Sequence, residues 1–203
     1  MTVGIIGAGK IGRALAKHLT RSGQDVIVSN RRGPDSLAPL IAELGPKAKA
    51  GTVAQAAAAP VVFLSVTWTE LPAALSNLPD WKGRVAVDTA NPYVVEGSAL
   101  RRVDLGGKTS SEVVAGMVPG ARLVKAFNTL WDVTLAADPS EAGGRRVVFL
   151  SGDDAKAKNE VSAIIDKMGF AAVDLGGLVE GGKMQQPGGP FAGLNLVRRP
   201  ARP

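Results

Sequence analysis

The chain has 203 residues, 45% of them hydrophobic and 21% charged, with a net charge of +6 and no cysteine. That is a globular balance sized for one core, and it excludes disulfides, cysteine metal sites and a thiol nucleophile. The positive charge favours anionic partners, but aromatics make up only 4% and do not interleave with the cations, so a phosphorylated small molecule is expected rather than nucleic acid.

In chain order, "TVGII" (2–6) reads as a strand. Residues 10–23 read as a helix with Ile11, Leu15 and Leu19 on one face, His18 towards its outer face and Gly23 as its C-cap. "DVIVS" (25–29) is the next strand, followed by a helix near 35–44, a short strand near 47–50 and an Ala-rich helix near 52–58. "PVVFLSV" (60–66) and "RVAVDTA" (84–90) are strands, a helix follows near 109–116, and "ARLVKAF" (121–127) is a strand. After a looser stretch at 131–144 come a strand (145–152), a helix (154–168) and a strand (170–175). These strands are continuous apolar runs, the pattern of strands covered on both faces. The expectation is a doubly wound α/β fold, Rossmann-like, with a mostly parallel sheet and helices on both faces. It forms one domain over 1–178, with a Gly- and Pro-rich segment at 179–203. The start has no basic n-region and no run of apolar residues is long enough for a membrane span, so a soluble cytoplasmic protein is expected.

"GIIGAGKIGRAL" places Gly7, Gly9 and Gly12 directly after a strand and at the start of a helix. In that context G-x-G-x-x-G is a dinucleotide fingerprint. Gly7 serves the tight turn, Gly9 lets a pyrophosphate approach the backbone, and Gly12 allows close helix packing. The helix N-terminus supplies free N–H groups to the phosphates. Where an NAD site would end its second strand in Asp or Glu, this chain has Ser29 and Asn30, then Arg31 and Arg32. A neutral residue followed by cations suits a 2′-phosphate, so the expected cofactor is NADP(H). No nucleophile-base set and no metal cluster is visible, and no catalytic acid or base stands out. That fits hydride transfer, in which the protein mainly orients the reactants.

The blocks "TVGIIGAGKIGRALA", "VSNRRG", "VVFLSVTW", "VDTANP", "LVKAFNTL" and "VFLSGDDAKAKNEVSAIIDKMGFAAVDLGGL" resemble the NADP reductases dependent on the deazaflavin coenzyme F420. The chain is also similar to the cytoplasmic oxidoreductase domain of the six-transmembrane ferric reductases. The resemblance implies that Gly7, Ala8, Gly9, Lys10 and Ile11 hold the pyrophosphate and that Asn30, Arg31 and Arg32 hold the 2′-phosphate. It further implies that Ser65, Val66, Thr67, Asn91 and Pro92 line the nicotinamide side, with Ala126, Phe127 and Asn128 near the junction of the nicotinamide and the second cofactor. A homodimer, and coenzyme F420 or a flavin as hydride partner, come with it. The C-terminal "GGKMQQPGGPFAGLNLVRRPARP" departs from the Leu-rich helical ending of that family, which leaves other acceptors open: a quinone, or a small carbonyl or imine compound. A non-catalytic NADPH sensor is the contrasting reading.

Overall fold

The computed structural model describes residues 1–200. Strand β1 (Thr2–Ile6) leads into helix α1 (Lys10–Arg21) and strand β2 (Asp25–Ser29). A 3₁₀ turn at Pro34–Leu37 and helix α2 (Ala38–Leu44) precede β3 (Ala48–Ala50), and α3 (Val53–Ala57) precedes β4 (Val61–Leu64). A second 3₁₀ turn, Trp68–Glu70, runs into α4 (Leu71–Leu75) and then β5 (Val85–Asp88). The hairpin of β6 (Tyr93–Glu96) and β7 (Ala99–Arg102) comes next, then α5 (Ser110–Met117), β8 (Arg122–Ala126) and α6 (Asp132–Ala136). The chain ends with β9 (Ser140–Glu141), β10 (Gly144–Gly152), α7 (Ala155–Lys167), β11 (Ala171–Asp174), α8 (Glu180–Gln185) and β12 (Val197–Arg198).

The main sheet runs β11-β10-β8-β5-β4-β1-β2-β3. From β3 across to β8 every pairing is parallel. Successive side chains alternate between faces: Val3 and Ile5 join a core with Leu15, Leu19 and Phe63, while Ile6 joins one with Val62, Leu64 and Leu71. Each face has its own apolar cover, which is why the strands read as unbroken apolar runs. The fold is the expected doubly wound α/β sheet, mostly parallel, in one domain.

The structure also adds to and corrects the sequence reading. β10 pairs antiparallel with β8 and parallel with β11, so the last two strands oppose the rest. The connection between β8 and β10 holds only the short helix α6, the two-residue strand β9 and a tight turn instead of a full crossover helix, and parallel pairing needs such a crossover. His18 does not lie on an outer face. α6 covers that side of α1, and His18 is buried edge-on to Phe170, with Nε2 2.7 Å from the Leu135 carbonyl oxygen. The hairpin β6–β7, helices α4, α6 and α8 and the short strands β9 and β12 were not anticipated.

Candidate active site

The strand order turns outward in both directions from the β1/β4 pair, with β1 followed by β2 and β4 by β5. Ligands of open α/β sheets bind at the carboxyl ends of the strands at such a switch point. Here those ends are Ile6 and Leu64, joined where the Ser65 N–H donates to the Ile6 carbonyl at 2.7 Å.

The glycines of the first turn are set by geometry. Gly7 has φ 108°, and a Cβ there would overlap the Ser65 carbonyl oxygen. A Cβ on Gly12 would overlap the Gly7 carbonyl oxygen, so α1 can start this close to the turn only with hydrogen at that position. Gly9 differs: its φ is −72° and a Cβ would meet nothing within 4 Å. The fold therefore does not need glycine at position 9, and the space above it is open. Gly9 is also the N-cap of α1, with no capping side chain and no acidic residue in the first helical turn. The first N–H groups of the helix thus face this space with their positive dipole end and no protein anion against them. A bare, positively polarised turn of this shape fits a dinucleotide pyrophosphate.

Two cavities meet above that turn. One, about 700 Å³, extends towards the end of β2 and is lined by Gly7, Ala8, Gly9, Asn30, Arg31, Arg32 and Glu70 together with apolar residues of α3 and α4. The other, about 860 Å³, extends over β5 and β8 and is lined by Lys10, Ile11, Asn91, Phe127, Asn128, Trp68, Tyr93 and Trp131, among others. Gly9, Ser65, Val66 and Thr67 belong to both. Two of the residues expected here do not line either cavity. Ala126 is fully buried within the sheet, and Pro92 is buried beneath the hairpin, its carbonyl accepting from Val103 N at 2.8 Å.

The loop after β2 is organised by Asn30. Its Oδ1 accepts from Arg32 N at 2.9 Å, and its Nδ2 donates to Ser36 Oγ at 2.9 Å. This Asx turn displays Arg31 and Arg32 at the cavity rim. Arg31 reaches across the mouth to Glu70, with Nη1 3.0 Å from Oε1. Lys10 makes a similar crossing at the other end, with Nζ 3.0 Å from Asp132 Oδ2. The Lys10 ammonium beside Asp132 holds that carboxyl below its usual range.

Beneath the second cavity lies a polar cluster that the sequence reading passed over. Lys125 and Asp88 are both fully buried, with Nζ 3.0 Å from Oδ2. Asp88 also accepts from Ser111 Oγ at 2.7 Å and from Ala90 N at 2.9 Å, and Lys125 also donates to the Ala90 carbonyl at 2.9 Å. A buried pair is tolerable when its remaining donors and acceptors are met this fully. The pair clamps the ends of β5 and β8 and with them the turn carrying Asn91. Asn91 and Asn128 then hold each other: Asn91 Nδ2 donates to the Asn128 carbonyl at 2.8 Å and Asn128 Nδ2 to Asn91 Oδ1 at 3.0 Å. Asn128 Nδ2 also donates to the Gln185 carbonyl of α8 at 2.7 Å, so the C-terminal segment reaches the site. Asn128 Oδ1 and Ser65 Oγ, buried atoms of two residues that line the second cavity, have no hydrogen-bond partner among the described residues. Phe127 takes φ 64° and turns its ring into the core between Phe63 and Phe170. The "VDTANP" and "VKAFNT" blocks were the available signal for this cluster: a charged residue inside each apolar strand has to find its counterpart.

A family model described as "NADP oxidoreductase coenzyme F420-dependent" matches residues 2–92. The crystal structure of hypothetical protein SMa0349 from Sinorhizobium meliloti superimposes with a TM-score of 0.91 at 43% identity, over 98% of this chain and 96% of that one. A candidate F420-dependent NADP reductase from Arthrobacter sp. FB24 gives a TM-score of 0.77 at 26% identity, over 88% of this chain and 86% of that one. Metalloreductase STEAP3 of Rattus norvegicus is 33% identical over 177 residues, 87% of this chain. The chain spans 34% of the length of that curated relative. Residues 2–92, which carry the glycine turn and the cationic loop after β2, thus match a model of NADP oxidoreductases, and the chain as a whole is similar to these proteins in sequence and fold.

Proposed function

We propose that the chain transfers a hydride between NADPH and a flavin-like acceptor, with coenzyme F420 as the foremost candidate. The observation carrying this reading is the continuity of the two cavities through Gly9, Ser65, Val66 and Thr67. One end presents Asn30, Arg31 and Arg32; the other is lined by the aromatic residues Trp68, Tyr93 and Trp131. NADPH, when bound, supplies the hydride from its nicotinamide ring. In this reading Gly7 to Ile11 and the α1 N-terminus bind the pyrophosphate, and Asn30, Arg31 and Arg32 bind the 2′-phosphate. Ser65, Val66, Thr67, Asn91 and Asn128 orient the nicotinamide. Pro92 and Ala126 support that wall from behind, and the Phe127 ring anchors the turn in the core. The aromatic side chains stack the acceptor and exclude water. Hydride transfer needs the reacting atoms roughly 3–3.5 Å apart, so orientation is the chain's main contribution.

We assign residues 1–178 to the cofactor-binding unit and 179–203 to a segment that supports its acceptor side. A cytoplasmic homodimer completes the proposal; among the described residues no helix is long and apolar enough to cross a membrane. The test is NADPH oxidation with the deazaflavin, free flavins, a quinone and an imine as acceptors. Fast bleaching of the deazaflavin with slower flavin reduction is the expected result. Preferential turnover of the quinone or the imine would move the assignment to that acceptor, and tight NADPH binding with no turnover would make the chain a sensor.

A further inference from the structure

Glu70 stands where an anion is least expected. It lines the same cavity as Arg31 and Arg32, and its Oε1 lies 3.0 Å from Arg31 Nη1. Its other carboxylate oxygen accepts from Thr67 Oγ1 at 3.3 Å. The carboxylate is therefore tethered on the β4 side and reaches over the cavity mouth to the β2 side. Helix formation does not require this side chain: Glu70 N already donates to the Thr67 carbonyl at 3.0 Å. No second cation meets Glu70, and the Arg32 guanidinium has no side-chain partner among the described residues.

We infer that Glu70 is a specificity-determining residue: its carboxylate competes with the cofactor's 2′-phosphate for Arg31 and so weakens NADPH binding relative to NADH. This rests on the reading of Asn30, Arg31 and Arg32 as the 2′-phosphate subsite. A phosphate that takes the Arg31 fork must displace a carboxylate that already holds it, and then lies beside a like charge. NADH brings a neutral ribose hydroxyl to the same place and meets neither obstacle. Glu70 thus keeps the mouth bridged in the cofactor-free chain and narrows the preference that the arginines create.

The test is calorimetric titration of NADPH and of NADH into the wild type and into Glu70→Gln, Glu70→Ala, Arg31→Ala and the Arg31→Ala/Glu70→Gln pair. Both Glu70 variants keep the backbone bond that starts the turn. The expected result is NADPH binding tightened about twofold to fivefold by either change at low salt, the range of an exposed ion pair, with NADH affinity unaltered. The gain should shrink at high salt and vanish in the Arg31→Ala background. Weaker NADPH binding in Glu70→Gln, an equal change for both cofactors, or no change at all would overturn the inference. If Arg31→Ala itself leaves NADPH affinity as in the wild type, the 2′-phosphate subsite is misplaced and this inference falls with it. If Arg31→Ala weakens NADPH while Glu70→Gln has no effect, the subsite stands and only the role of Glu70 fails.

Discussion

Gly7 and Gly9 lie two positions apart in one motif, yet they answer to different demands. Gly7 has a left-handed φ and no room for a Cβ, whereas Gly9 has an ordinary φ and open space above it. Gly7→Ala should therefore destabilise the fold by about 1–3 kcal/mol, the scale of a residue forced into an unfavourable backbone region. Gly9→Ala should leave the melting temperature within a degree or two and still weaken NADPH binding, because its methyl group enters the space proposed for the pyrophosphate. Thermal melts paired with calorimetry separate the two, and a Gly9→Ala protein that binds NADPH normally would remove the pyrophosphate from that turn. The motif was legible because strand, glycines and helix stand in a fixed order, and the turn role read for Gly7 agrees with its φ and its lack of room for a Cβ. Arg31 was legible in the same way, by position. Losing it should cost roughly 10- to 150-fold in NADPH affinity, the worth of one charge-assisted hydrogen bond, with NADH affinity unchanged. Its pairing with Glu70, contributed by a turn nearly forty residues away in sequence, had no local sign.

At the scale of elements, the buried Asp88–Lys125 pair decides how β5 and β8 present the second cavity. Replacing Lys125 by Met leaves a buried carboxylate held only by Ser111 Oγ and Ala90 N. Breaking one side of such a pair costs about 3–5 kcal/mol, and Asp88→Asn in the Lys125→Met background should recover much of it. Urea denaturation of the single and double variants measures both numbers; additive losses would mean the two charges do not act as a pair. Helix α1 carries a second buried ionisable group. Burial lowers the pKa of His18 below its ordinary value of 6.5, and the hydrogen bond to the Leu135 carbonyl only partly opposes this. The unfolded chain takes up the proton near 6.5, while the folded chain does so only at lower pH. Between those points the unfolded state binds more protons, so the His18 contribution is complete above 6.5 and is lost as pH falls through that window. Denaturation at pH 7.5 and 5.5 should show a drop that is smaller in His18→Gln; an identical drop would assign the acid sensitivity to other groups. The hairpin and α8 escaped the sequence reading for separate physical reasons. β6 and β7 are short, exposed strands joined through Gly97 and Ser98, with apolar Val95 and Leu100 exposed where they line the second cavity instead of joining the core, so no core-facing alternation marked them. α8 contains Gly181 and Gly182, poor helix formers. They are there because a Cβ on Gly181 would press on Ser151 and Leu175, and one on Gly182 on Thr109.

Across the whole molecule, the parallel half of the sheet was readable from its repeating strand-helix units, whereas the closing half depends on contacts between distant segments. The last part of the chain reads as featureless, yet among the described residues it is fastened to the body at several points. Gln185 is fully buried with Nε2 2.6 Å from Ser151 Oγ, Phe191 stacks on Phe149 at 4.5 Å, and Arg102 Nη1 donates to the Pro187 carbonyl at 3.0 Å. One of these attachments reaches the site itself, since the Gln185 carbonyl holds the Asn128 carboxamide. The glycine turn and the loop after β2 receive no such support from the described residues of this segment; their fixed points are Ser29, Ser36 and Ser65. A chain ending at Leu178 should therefore lose the two functions unequally. Its adenosine side should still bind 2′,5′-ADP, within about threefold of the full-length affinity, because the contacts proposed there are local and coupling between well-separated sites is small. Its nicotinamide side should lose turnover by about tenfold or more, because Asn128 is released and misplacement of a reactant by about an ångström costs on the order of 100-fold. Calorimetry with 2′,5′-ADP and stopped-flow oxidation of NADPH, each on protein whose far-UV circular dichroism confirms that the sheet persists, measure the two arms. Parallel loss of both would show that the segment supports the sheet as a whole, and retention of both would detach it from the chemistry; a loss confined to turnover is what the hydrogen bond between Gln185 and Asn128 requires.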